Sequence, residues 1–164
     1  MKSNAILALV IALLAGCAST PASKSFEVSA TELGIAYYYP RARLQVVQQS
    51  TNRYTFTLIP GPFARLGAIQ DASLVTGFYA VGFFCPAWRL AKKTGASAAI
   101  LSFPDPSNTE AGIAEVTLAE QAVRAPEAKG KERIEAVNFS DESWQATQRT
   151  WCDHPEKLNR AWNQ

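Results

Sequence analysis

The chain has one histidine, His154, and it closes the triplet Cys152-Asp153-His154, which sets a nucleophile, an acid and a base side by side. Consecutive residues on a helix point in different directions, so this spacing supplies neither a metal-ligand pair nor a nucleophile with its base. The triplet reads instead as the end of a helix. Carboxylates gather late in the chain, at Asp105, Glu110, Glu115, Glu120, Glu127, Glu132 and Glu135. Intervals of about five suit neither a calcium loop nor a paired acid and base, and a solvated surface is the better reading. There is no Gly-rich phosphate cradle, no Gly-x-Ser-x-Gly elbow and no His-Glu-x-x-His pattern. Arg41, Arg43, Arg53 and Arg65 fall near the ends of expected strands, where arginines are usually solvated. In Tyr37-Tyr38-Tyr39 at most two rings share a strand face, and sheet packing accounts for them. The expectation is no catalytic residue, no cofactor and no metal site.

The elements that would position such residues are easier to read. Leu44, Val46 and Gln48 alternate with Gln45, Val47 and Gln49, and beyond Ser50-Thr51-Asn52 the alternation resumes with Tyr54, Phe56 and Leu58 against Thr55, Thr57 and Ile59. Period-two patterning on both sides of a short polar turn predicts an antiparallel hairpin, ended by Pro60-Gly61-Pro62. Gly34 to Pro40 predicts a short strand. Residues 72–88 form the longest uncharged run outside the N-terminus. Being apolar on both faces and diluted by Gly77, Gly82 and Pro86, the run predicts one or two buried strands rather than a membrane span. Trp88 to Thr94 predicts a short helix stopped by Lys92, Lys93 and Gly95. Strands are expected over Ala98–Phe103 and Ile134–Phe139, with a solvated loop over 124–133. Residues 113–123 fit both periods, with the strand preferred for the first half. The C-terminus predicts a helix N-capped by Ser140, with Trp144, Trp151, Leu158 and Trp162 on one stripe and a break near Asp153-His154 before Pro155. The fold class is α+β, an antiparallel sheet with the C-terminal helices packed on one face; a β-sandwich is the alternative.

At the N-terminus, Lys2 precedes an uncharged apolar run, Ala5 to Ala15, that ends in Leu14-Ala15-Gly16-Cys17. Charge, length and small-residue ending are those of a secretory signal, too short to span a bilayer comfortably. The tetrad resembles the lipobox of bacterial lipoproteins, a resemblance that covers residues 1 to about 20. It implies cleavage before Cys17 and a thioether-linked diacylglyceryl group on that cysteine. The division is then a signal peptide at 1–16, a lipidated N-terminus and flexible tether at 17–25, and one globular domain at 26–164. Ala18-Ser19 after the anchor, with no Asp, implies the outer membrane under the enterobacterial sorting rule. With Cys17 consumed by lipid, an even pair is left in an oxidising compartment, which implies a Cys85–Cys152 disulfide.

Removing residues 1–16 from 164 leaves 148, enough for one core, and 48% hydrophobic against 18% charged residues predicts a folded domain. Residues 17–100 hold 8 Lys/Arg and 3 Asp/Glu, net +5, whereas residues 101–164 hold 7 against 11, net −4. The balance gives no footprint for nucleic acid. The functional expectation is a lipid-anchored envelope protein acting as a non-enzymatic binding or assembly module, with the membrane and an envelope protein as partners. An anchored hydrolase whose site is assembled from distant residues, and a module perturbing membranes through 72–88, are the alternatives.

Overall fold

The computed structural model describes residues 23–33, 41–59, 79–105 and 112–155. They form a six-stranded, wholly antiparallel sheet with a few short helices, an α+β fold, and the sheet is single rather than a sandwich. In chain order come β1 (Ser25–Ser29), α1 (Ala30–Leu33), β2 (Arg43–Gln48), β3 (Arg53–Ile59), a π-helical turn at Ala80–Phe84 running into α2 (Cys85–Thr94), β4 (Ala98–Phe103), β5 (Gly112–Ala119), β6 (Arg133–Asn138), and a second π-helical turn at Trp144–Gln148 running into α3 (Arg149–Asp153). In space the strand order is β1-β2-β3-β5-β4-β6.

The hairpin forms where the alternation places it. Leu44 pairs with Leu58 and Val46 with Phe56, and these side chains together with Tyr54 are buried, while Gln45, Thr55 and Thr57 lie on the other face. The same alternation passes along the sheet through Ala114, Val116 and Leu118 of β5 and Ala99, Leu101 and Phe103 of β4. One face is therefore covered and the other is not, the arrangement antiparallel sheets tolerate. On the open face Thr55 Oγ1 donates to the Glu115 carboxylate at 3.1 Å. No polar or charged residue is buried among the described residues.

The expectation of buried strands over 72–88 is overturned for 79–88, which are helical; residues 72–78 lie outside the described residues. The run is apolar all round because this helix is buried all round, between the sheet and the C-terminal segment, and an apolar run of that kind has no period to distinguish helix from strand. Gly82 shows how closely it packs, since a Cβ there would stand 2.9 Å from Leu58 Cδ2. Phe83 and Tyr79 meet Phe103 edge to face, with centroids 5.3 and 5.5 Å apart. The helix expected from Trp88 is thus the second half of a longer one. It ends as read, at Gly95 in the left-handed region with φ 79°, whose N–H donates to the Ala91 carbonyl.

At the C-terminus the first helical bond runs from the Gln145 N–H to the Asp141 carbonyl, so Asp141, not Ser140, is the N-cap. Asp141 is drawn into that place because its own N–H donates to the Asn138 carbonyl, a turn that uses up Phe139 and Ser140. Helix α3 stops at Asp153, as Pro155 requires. Trp144 is buried edge to face against Phe139, 5.2 Å between centroids, and Trp151 is half-buried. Leu158 and Trp162, like the 34–40 strand, lie outside the described residues. Most of the covering of the sheet comes from Ala80–Thr94; α3 packs beside that helix and is tied to it by the Cys85–Cys152 disulfide, Cα atoms 5.2 Å apart.

Candidate functional site

The triplet at 152–154 assembles no site. Cys152 is in the disulfide, the Asp153 carboxylate pairs with Arg149 at 3.3 Å, and His154 is exposed at the end of α3. Among the described residues no group of three His, Cys, Asp or Glu side chains has the geometry to hold a metal ion. Of the late carboxylates, Asp105 follows β4, Glu110 lies outside the described residues, and the rest are dispersed over β5, β6 and the exposed 120–132 loop. Glu115 takes up Thr55, Glu135 pairs with Arg133, and Glu132 is pulled below the usual carboxylate range by backbone N–H groups in its own turn. Arg43 and Arg53 stand at opposite ends of the hairpin, so with Arg41 they make no common patch; Arg65, Tyr37, Tyr38, Tyr39 and Cys17 lie outside the described residues.

What the fold does build is an open edge beside a cleft. A sheet has two edges, and here they differ. On β6, Arg133 and Glu135 pair with Phe103 and Leu101, so by register they stand on the helix side of the sheet. They form an ion pair, and the Arg133 guanidinium lies 4.8 Å from the centroid of the Tyr79 ring. Charged groups turned inward at an edge discourage strand addition. Burial keeps the Tyr79 hydroxyl protonated above its ordinary range, although the Arg133 charge works against this.

Among the described residues the β1 edge has no such guard. The Gln48 N–H donates to the Lys24 carbonyl at 2.8 Å, which by alternation directs the backbone groups of Phe26 and Val28 toward β2 and those of Ser25, Glu27 and Ser29 outward. Ser29 is closed off by Glu32. The Ser29 N–H and Oγ–H both donate to Glu32 Oε2, at 2.8 and 2.7 Å, and the Glu32 N–H returns a bond to Ser29 Oγ at 3.3 Å. This is a capping box that starts α1 directly from the strand, and its hydrogen bonds lower the Glu32 pKa. The Ser-x-x-Glu spacing at 29–32 is visible in the sequence, but it announces a helix of only four residues and carries no hydrophobic period with it. Only Ser25 and Glu27 are left with outward backbone groups on β1.

Beside this edge runs a cleft of about 230 Å³ between β1 and α2. Phe26, Val46, Phe56 and Leu90 supply its apolar lining, and Arg89 and Lys93 stand exposed on its helix rim. Phe26 is 48% exposed and, with Ile113 at 37%, one of two exposed large hydrophobic residues among those described. Glu27 and Glu32 also reach the cleft, yet both carboxylates are committed elsewhere: Glu32 to Ser29, and Glu27 to Gln45 Nε2 at 3.0 Å and Arg43 Nε at 3.5 Å. A wider hollow of about 1050 Å³ lies at the turn end of the hairpin. There Asn52 spends both its side-chain amide and its backbone carbonyl on Leu118, so that hollow is framed by structural bonds. The cleft is not legible in the sequence, because it joins Phe26 to a helix about sixty positions later whose apolar first turns carry no period.

Comparison with family profiles, with curated proteins and with solved structures finds no match for this chain. No helix among the described residues is long and apolar enough to cross a membrane.

Proposed function

We propose that this is a lipid-anchored envelope protein, held through Cys17, that acts as a non-enzymatic binding module, with the cleft between β1 and α2 as its binding surface. The observation that carries the reading is where the cleft stands. Phe26 is the second residue of the first strand, nine positions after Cys17, so the exposed apolar side chain and the unguarded sheet edge lie at the point where the tether joins the domain. Nine residues reach at most about 30 Å even when extended. An anchored domain would thus present this surface, before any other part of the fold, to whatever lies in or on its membrane. A half-exposed aromatic flanked by exposed cations and open backbone groups is suited to an amphiphilic partner, offering apolar area and polar contacts together.

Two measurements test the proposal separately. Intact mass of the mature protein should show a diacylglyceryl-modified Cys17 at the N-terminus, and Cys17→Ser should abolish processing; an unmodified N-terminus downstream of Cys17 would remove the anchor. A photoreactive phenylalanine analogue at position 26 in the anchored protein should give envelope adducts that the same analogue at position 113, on the open sheet face, does not. Equal yields from the two positions would remove the cleft as the binding surface.

A further inference from the structure

We infer that the partner of this surface is the membrane itself: the β1 and α2 edge docks on a bilayer rich in anionic phospholipid, with Phe26 entering the interface and Lys24, Arg89 and Lys93 in the headgroup plane. The inference rests on the cleft being a binding surface, and it adds what occupies it. By the alternation of β1, Lys24 lies on the same face as Phe26 and Val28, toward the cleft. Arg89 and Lys93 stand across from them on α2, with the Arg89 guanidinium 3.4 Å from the Glu32 carbonyl. Two cations of the cleft rim and Lys24 on the same strand face therefore accompany one exposed aromatic ring. Of the two acids of the neighbourhood, Glu27 is paired with Arg43 while Glu32 keeps its charge on Ser29, so the rim holds three cations against one unpaired carboxylate and is net positive.

The wider charge distribution points the same way. Among the described residues, those up to position 100 carry seven Lys/Arg against two Asp/Glu, and those from 101 carry five against nine. The strand order keeps β1, β2 and β3 and their flanks together, with Lys24, Arg41, Arg43 and Arg53 against Glu27 and Glu32, and Arg89 and Lys93 of α2 reach the same β1 edge. The part of the molecule where the tether enters therefore carries an excess of positive charge, although its arginines form no single patch. A basic surface with one inserted aromatic is the pattern of peripheral attachment to an anionic leaflet. A polypeptide strand fits less well, because only Ser25 and Glu27 have outward backbone groups, too few rungs to hold an added strand firmly.

The test uses the mature, full-length protein reconstituted in phosphatidylcholine vesicles and in vesicles with about one third phosphatidylglycerol. Amide hydrogen exchange is read at Ser25 and Glu27, whose outward N–H groups report cover over the edge, with β5 as the internal reference. Anionic vesicles should slow exchange at these two amides at least about fivefold relative to phosphatidylcholine, and about 0.5 M salt should reverse the effect. The paired variant Arg89→Glu and Lys93→Glu, both exposed and outside the core, should abolish it while leaving β5 protection unchanged. Equal rates in the two lipids overturn the inference. Protection that appears in phosphatidylcholine and grows with protein density overturns it in favour of a second copy on the β1 edge. Flotation with phosphatidylcholine vesicles reports the Cys17 anchor independently. A chain that fails to float is mixed with the same anionic vesicles, and the two amides then decide the docking alone.

Discussion

Removing the disulfide should cost this domain a large part of its stability, and most of the loss should arise in the unfolded chain. Cys85 and Cys152 are 67 positions apart and both buried, at 2% and 6% exposure. Closing a loop of that length restricts the denatured ensemble by an amount the chain-entropy model places at about 4 kcal/mol. A domain of this size has about 5 to 15 kcal/mol to lose. The double variant Cys85→Ala and Cys152→Ala should therefore fold, with its melting temperature lowered by roughly 8 to 16 °C. Alanine is the right replacement, because serine would bury two hydroxyls in a region where no polar side chain is buried among the described residues. The assay is equilibrium urea denaturation followed by tryptophan fluorescence, since Trp88, Trp144 and Trp151 all lie close to the bridge. If the account is right, each single Cys→Ala variant loses nearly as much as the double one, and the m-value rises because the uncrosslinked chain unfolds to a more exposed state. A loss below about 1 kcal/mol with an unchanged m-value would refute the reasoning.

Three further outcomes follow from individual contacts. Gly82→Ala should destabilise by about 1 to 2 kcal/mol in urea melts despite its better helix propensity, because the new methyl meets a buried Leu58 side chain; Leu58→Val in the same chain should recover part of the loss, and a Gly82→Ala variant more stable than the parent would contradict the packing. Ser29→Ala should cost about 1 kcal/mol by breaking the capping box, and it should also raise the Glu32 pKa measured by NMR toward the ordinary glutamate value, with no movement of that pKa counting against the box. Since Glu32 has a folded-state pKa below its unfolded one, its contribution is complete above the unfolded value of about 4.3 and is lost as pH falls through the lower folded value, so the stability gap between parent and Ser29→Ala should narrow in acid.

Legibility in the sequence tracked how many faces of an element meet solvent. The 43–59 hairpin and the strand at 98–103 could be read because one face of each is polar or half-exposed, so the period shows. For Gly112–Ala119 the same alternation was present, with Ile113 and Glu115 exposed against buried Ala114 and Val116, but alanines at 114 and 119 left a helical reading open. Residues 80–84 failed for the opposite reason: every one is buried, and a segment without a wet side has no pattern to read. The disulfide was legible as a consequence of the lipobox resemblance, by parity of cysteines, and the structure forms it. The cleft depends on tertiary packing of two segments whose separate sequences look unremarkable, and the capping box that limits the edge was too short to stand out.

The charge asymmetry is the feature that links sequence to orientation. In the sequence a net +5 stretch followed by a net −4 stretch reads most simply as two solvated halves that complement each other within one fold. The topology interleaves them only in part. β2 and β3 follow β1 as a meander, and β5 returns to sit against β3, so Lys24, Arg41, Arg43 and Arg53 lie in one half of the sheet and Glu115, Glu135 and the 120–132 loop in the other. Helix α2, with its three cations, packs on β4 and β5 and reaches the β1 edge through Arg89 and Lys93. Pairing of β6 with β1 would close the sheet and cover the β1 edge. As built, the helix-facing ion pair on β6 discourages that closure, and the two outward rungs on β1 keep the basic edge open. On the proposed anchoring through Cys17, the residues that close one edge of the sheet and leave the other unguarded would turn the β1 edge toward the membrane.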